Sequence, residues 1–234
     1  LLERSTRYSK KTLLLLLMSM NAPMTLNETL TALSERAESL PKEVTAERLA
    51  ELDAMAAWVA EQPAEGTTDL VFICTHNSRR SHMGQILAQA AAHHHGLRDV
   101  RTHSGGTEAT AFNPRAVRAL RELGVGLSCA DPSAANPVYE VALQAGAPAT
   151  AAFSKVYSDA ANPQAGFAAV MTCSDADEAC PLVFGAAARF ATPYVDPKVS
   201  DGTDAEAETY RERALQIGAE MMYVMARAAA LRKG

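Results

Sequence analysis

What this sequence lacks narrows its chemistry first. No apolar run in the 234 residues approaches the ~20 that a membrane-spanning helix needs, so no transmembrane segment is expected. Cysteine is scarce, with four residues at positions 74, 129, 173 and 180. That is too few for a disulfide scaffold, and the spacing is not that of a zinc site. Free thiols on an alternating strand–helix pattern belong to a reducing compartment, so a cytoplasmic protein is expected. No basic tract stands out beyond the N-terminus and the net charge is −5, so neither nucleic acid nor a membrane surface is an expected partner. Neither a metal nor an organic cofactor is expected.

The first residue is not Met, and no small-x-small cleavage site follows the short apolar run Leu13 to Met18. A basic stretch before that run resembles the start of a signal peptide, but the run is at the short edge of the usual ~7–15 residues. Residues 1–23 therefore read as a leader or an extended start without defined structure, with the natural start at Met18, Met20 or Met24.

What is present is ordinary for a globular protein: 48% apolar and 21% charged residues, enough for one sizeable domain with additions. Residues 24–66 read as a helical pair. Leu26, Leu30, Leu33, Ala37 and Leu40 recur at helical spacing until Pro41, and Thr45 can cap a second helix carrying Leu49, Leu52, Met55 and Val59. This pair reads as a packing or dimerisation element, with a homodimer as one expected assembly. Residues 67–234 read as the catalytic domain. Its strands are expected at Leu70 to Ile73, Asp99 to His103, Phe167 to Thr172 and Arg189 to Val195, and its helices at Ser81 to His95, after Pro114, and over Ala205 to Leu231. A segment near 136–165, with strands at Tyr139 to Leu143 and Phe153 to Tyr157, reads as an insertion. Cys129 reads as a bland loop cysteine. His93, His94 and His95 are successive, so they point about 100° apart and cannot converge on one ion; they read as a helix C-cap.

Strands alternating with helices predict an α/β fold. The expected architecture is three layers, α/β/α, around a mainly parallel four-stranded sheet, with the N-terminal helices and an inserted hairpin or loop added. Ligands of such sheets bind at the carboxyl ends of the strands. Cys74, Ser104, Cys173 and Asp196 all follow expected strands, so they are expected on one rim.

The most informative stretch is Cys74-Thr75-His76-Asn77-Ser78-Arg79-Arg80-Ser81. A buried strand ends at a cysteine, a tight loop follows, and a helix opens after an arginine. Backbone N–H groups of such a loop form an anion nest. A sulfur at its base, at a helix N-terminus and beside Arg80, is suited to attack as the thiolate.

These residues resemble a known family. The C-x5-R-S pattern from Cys74 to Ser81 resembles the loop of the low-molecular-weight protein tyrosine phosphatase superfamily. Within it, Cys173-Ser174-Asp175-Ala176-Asp177 with Cys180-Pro181 is similar to the redox segment of the thioredoxin-coupled arsenate reductases, and Asp196-Pro197 resembles the superfamily's general-acid position. The resemblance spans about residues 68–231. It implies that Cys74 attacks the oxyanion, that Arg80 and the loop residues Thr75, His76, Asn77, Ser78 and Arg79 bind it or support the loop, and that Asp196 protonates the leaving oxygen. Ser81 would stabilise the Cys74 thiolate, and Ser104 belongs to the same support. Cys173 would attack Cys74, releasing arsenite, and Cys180 would carry the disulfide outward to a thioredoxin-type reductant. The alternative is a phosphatase that hydrolyses phosphomonoesters through a phosphocysteine, with Tyr157 and Tyr194 as candidates to flank the substrate.

Residues seven apart on a helix are about 10.5 Å apart along its axis, and disulfide-linked Cα atoms lie within about 6.8 Å. A Cys173–Cys180 bridge thus needs a looped, weakly packed segment. Three positions depart from the family pattern. His76 replaces the usual glycine and would strain the backbone at positive φ. Arg79 adds charge to the loop. Gln85 stands where related reductases carry an acidic residue of a potassium site.

Overall fold

The computed structural model describes residues 24–63, 65–143, 150–179 and 182–233. The leader therefore lies outside the described residues, and so do Cys180 and Pro181.

The sheet is organised around β1 (Thr68–Cys74), every residue of which but Asp69 is buried. It pairs in parallel with β2 (Val100–Gly106) on one side and with β6 (Phe167–Met171) on the other, and β6 pairs in parallel with β7 (Ala186–Ala191). The order is β2-β1-β6-β7. Both faces of β1 are covered, which explains the unbroken apolar run Leu70 to Ile73. Leu70 and Phe72 face the large core. Val71, Ile73 and Cys74 face a smaller one with Phe167, Ala169, Met171, Cys173, Ala176 and Val183. The expected fold class stands.

The large core is roofed by α3 (Arg80–His94), α4 (Pro114–Glu122) and α6 (Glu206–Leu231). Helix α3 lies very close to β1: a Cβ at Gly84 would stand 2.4 Å from Phe72 Cδ1. Helices α1 (Leu26–Ser39) and α2 (Ala46–Glu61) join the same core. Thr25 and Glu28 form a capping box on α1, and Thr45 Oγ1 accepts the Arg48 N–H on α2. Leu30, Leu33, Leu52, Met55 and Val59 are at most 1% exposed, each worth about 1.5–3 kcal/mol of burial. Those stripes are consumed within the chain and are not free for a second copy.

Several boundaries move. Strand β2 runs on to Gly106, so Ser104 lies inside it, opposite Phe72, rather than in a loop after it. The last strand is Ala186–Ala191 rather than Arg189 to Val195, because β6 offers partners only as far as Met171. A second, antiparallel sheet of order β3-β4-β5 contains β3 (Gly126–Cys129), β4 (Tyr139–Ala142) and β5 (Thr150–Ala152). Cys129 is thus a strand residue, paired with Tyr139. Phe153 to Tyr157 is not a strand of that sheet; it crosses to the first sheet through a bridge between Gly106 and Val156. The stretch expected to be loose after Cys173 is the short helix α5 (Ser174–Ala179). Ala176 is buried beneath it, and Asp177 accepts a hydrogen bond from Arg189 of β7.

Among the described residues, no helix is long and apolar enough to cross a membrane. His95 is the C-cap of α3, donating its backbone N–H to Ala91.

Candidate active site

The loop after β1 is held by its carbonyls. The Cys74 carbonyl accepts from Thr107 N, Thr75 from Glu108 N, His76 from Ser154 Oγ and Thr110 Oγ1, and Ser78 from Asn113 N, at 2.8 to 3.2 Å. With these carbonyls bound from outside, none of the backbone N–H groups of residues 75–79 donates to an acceptor among the described residues. Unpaired N–H groups in a tight loop are the donors of an anion nest. Gly106 allows the close approach, because a Cβ there would lie 2.6 Å from the Thr75 carbonyl oxygen and 2.7 Å from Asn77 N.

Among the described residues, Asn77 is the one non-glycine at positive φ, at +42°. Strain therefore falls on Asn77 rather than on His76, and asparagine tolerates that region better than most side chains. Both ends of its amide are used: Nδ2 donates to Ser81 Oγ at 2.8 Å, and Oδ1 accepts the Lys155 N–H at 2.9 Å. Ser81 Oγ lies 3.1 Å from Cys74 Sγ, and both residues are buried. A continuous chain thus runs from the 153–157 segment through Asn77 and Ser81 to the sulfur.

Arg80 Nη1 donates to the Tyr194 carbonyl at 2.9 Å, and Nη2 to Asp196 Oδ2 at 2.7 Å. Its Nε is buried without a partner among the described residues, a donor available to an oxyanion. Asp196 also caps the turn Pro197–Ser200, its Oδ1 accepting from Lys198 N at 3.0 Å. Arg79 turns away from the nest: Nε donates to Tyr210 Oη at 2.7 Å and Nη2 to Asp201 at 3.4 Å, while Nε stays 4.0 Å from Asp196 Oδ1. Tyr210 Oη donates to Asp201 in turn, and burial pushes its pKa up to about 12.

Cys173 follows β6 and is 1% exposed; its Sγ lies 3.6 Å from Thr75 Oγ1, in the same small core as Cys74. Ser104 Oγ lies 3.2 Å from His82 Nδ1. His82 is completely buried and stacks on Phe112 with 4.0 Å between ring centroids. Burial, reinforced by the nearby Lys155 ammonium, pulls its pKa down to about 3, so the ring is neutral. Lys155 is itself 5% exposed, and burial lowers its pKa to about 8. The His76 ring is half exposed at the rim, 3.8 Å from Glu108. Gln85 is buried, with Oε1 unpaired among the described residues, and no cluster of three His, Cys, Asp or Glu that could hold a metal occurs among them.

The geometry thus brings together Cys74, Ser81, Asn77, Arg80, Asp196 and Cys173. It leaves His76 at the edge and turns Arg79 toward α6. Tyr194 is core, its hydroxyl donating to Glu220 at 2.7 Å, whereas Tyr157 packs half-buried against the Cys74 core. Sequence reasoning missed Ser154, Lys155, His82 and Tyr210. A lysine in the largely apolar stretch Ala151 to Tyr157 was the available signal for Lys155, and the polar residues before His82 hid its burial. Tyr210 sits on an apolar stripe and gave none.

Residues 69–153 match the family described as low molecular weight phosphotyrosine protein phosphatase. No curated protein matches the chain. Among solved structures, a low molecular weight phosphotyrosine phosphatase from Vibrio cholerae O395 is 13% identical, covering 67% of this chain and 93% of its own at a TM-score of 0.45. The YwlE mutant from Bacillus subtilis is 19% identical, covering 72% and 100%, at 0.45. A thioredoxin-dependent arsenate reductase from Corynebacterium glutamicum is 19% identical, covering 82% and 80%, at 0.38.

Proposed function

We propose, for a chain whose residues 69–153 match the low molecular weight phosphotyrosine protein phosphatase family, that Cys74 attacks a tetrahedral oxyanion and that the oxyanion is arsenate. The observation that carries this reading is the second buried thiol, Cys173, in one small core with Cys74 and in contact with Thr75 of the loop. A phosphatase needs one thiol; a two-electron reduction needs two.

The steps balance. The Cys74 thiolate forms a bond to arsenic, and an arsenate oxygen leaves as water with the proton that Asp196 supplies. The loop N–H groups and Arg80 stabilise the charge on the remaining oxygens. The Cys173 thiolate then attacks Cys74 Sγ. The S–As electron pair departs with arsenic, which leaves as arsenite, and a Cys74–Cys173 disulfide remains. Cys180 attacks Cys173 and frees the Cys74 thiolate, and an external dithiol of the thioredoxin type reduces the Cys173–Cys180 disulfide. Bridging Cys173 to Cys180 requires the intervening α5 to unwind, breaking the Asp177–Arg189 pair. The setting proposed is the reducing cytoplasm, where Cys74, Cys129 and Cys173 stay unbridged.

The second reading is hydrolysis of a phosphomonoester through phosphocysteine. It is favoured by the family matched and by Asp196, held beside Arg80 where a leaving oxygen would need a proton. Assays with arsenate plus thioredoxin and its reductase, and with an aryl phosphate, separate the two. Arsenate turnover should vanish in Cys74→Ser, Cys173→Ser and Cys180→Ser. Turnover unchanged in Cys180→Ser would sink the relay. Aryl phosphatase activity lost only with Cys74 would establish the second reading.

A further inference from the structure

We propose that helix α2, which lies outside the family match, is part of the catalytic scaffold, and that Arg48 is a positioning residue for Arg80 and Asp196. The inference rests on the oxyanion-binding reading of Arg80. Arg48 reaches from the first turn of α2 into the segment that ends at Asp196. Its Nη2 donates to the Pro193 carbonyl at 3.2 Å, its guanidinium carbon stands 4.7 Å from the Tyr194 ring centroid, and its Nε donates to Glu220 at 3.2 Å. Glu220 is 1% exposed on α6, and it also accepts from Tyr194 Oη. The Ala191 N–H donates to Glu51, one turn further along α2. The backbone from residue 191 to 194 is therefore gripped from α2 at both ends.

The other side of the same backbone holds the site. The Tyr194 carbonyl accepts from Arg80 Nη1, and two residues later Asp196 accepts from Nη2. One acceptor of the Arg80 fork, the Tyr194 carbonyl, lies on the backbone that α2 holds, and the other, Asp196, follows two residues later. A guanidinium fixes two acceptors and a ring face at once through its planar fork, which a lysine cannot do. Arg48 touches neither substrate nor reacting atom, so its loss should appear as a displaced Arg80 rather than as missing chemistry.

The test compares Arg48→Met with wild type and with Arg227→Met. The latter removes a different pair between the same two helices, Arg227 to Asp53, neither of which hydrogen-bonds residues 191–196 among the described residues. Inorganic phosphate is titrated calorimetrically into reduced protein, and the urea midpoint is measured for each variant. Arg48→Met should weaken phosphate binding about tenfold, since small displacements of a positioned group cost large factors. Arg227→Met should leave it at the wild-type value. Phosphate affinity within twofold of wild type in Arg48→Met, whatever the urea midpoint, would overturn the inference. Should Arg48→Met not fold, Arg48→Lys is read on the same scale and against the same twofold limit. A wild type that binds neither phosphate nor arsenate would overturn the reading of the loop itself, a result distinct from equal binding by wild type and variant.

Discussion

Acid should release the Cys74 loop from beneath, through His82. The ring is completely buried two residues after Arg80, stacked on Phe112 and bonded to Ser104, with a folded-state pKa of about 3 against 6.5 for a free histidine. The folded state therefore excludes a proton that the unfolded chain takes up as pH falls below 6.5. Stability from this group is complete above that value and is lost as pH falls toward 3. Each pKa unit corresponds to about 1.4 kcal/mol, so moving from pH 6.5 to 5 should cost about 2 kcal/mol through His82 alone. His103, His95 and His93 are also lowered, mainly by burial, and add losses of the same sign. The informative quantity is thus the difference between wild type and His82→Gln, which keeps a neutral polar group near Ser104. Urea unfolding at pH 7, 6 and 5 should show the wild type losing stability faster, by about 1 kcal/mol or more per unit below pH 6. His82→Gln starts less stable because the stack on Phe112 is gone. Parallel pH dependences in the two proteins would refute the reasoning.

Two further outcomes follow from the same region. Lys155 is buried with a folded pKa of about 8, so the unfolded chain holds its proton longer as pH rises. Stability should increase between pH 8 and 9.5 by about 2 kcal/mol in the wild type and not in Lys155→Met, read from thermal melts under reducing conditions. Asn77→Ala leaves the Lys155 N–H without its acceptor, removes the donor to Ser81 and keeps a strained φ of +42°. It should cost about 1–3 kcal/mol in stability and at least about tenfold in kcat. Asn77→Gly should recover part of the stability, because glycine accepts that φ, but none of the rate. Wild-type turnover in Asn77→Ala would show that the chain from Lys155 to Cys74 does not matter.

The contrast between local and distant information runs through individual residues. The unbroken apolar run Leu70 to Ile73 of β1, the helical spacing of α1, α2 and α6, and the loop from Cys74 to Ser81 were legible because each is a short-range pattern. Period, cap and turn chemistry act over a few residues. Ser104 was expected just after a strand ending at His103, yet Ser104, Gly105 and Gly106 are strand residues, because the decisive fact is what β1 offers across the ladder. Residues 174–179 read as a loose polar linker, since three of the six are acidic. They form a helix because Ala176 finds the small core and Asp177 finds Arg189, twelve residues away in sequence.

By itself the sequence determined the parallel sheet, the sulfur at the end of its central strand and the arginine six residues on, all consequences of local periodicity and spacing. Tertiary structure alone decided which side chains hold that loop. Lys155 meets Asn77 across 78 residues, Asp196 meets Arg80 across 116, and Arg48 meets Glu220 across 172. A pairing at such separations has no period to betray it. It is fixed by which faces the sheet and helices must bury, and it exists only once they have been buried.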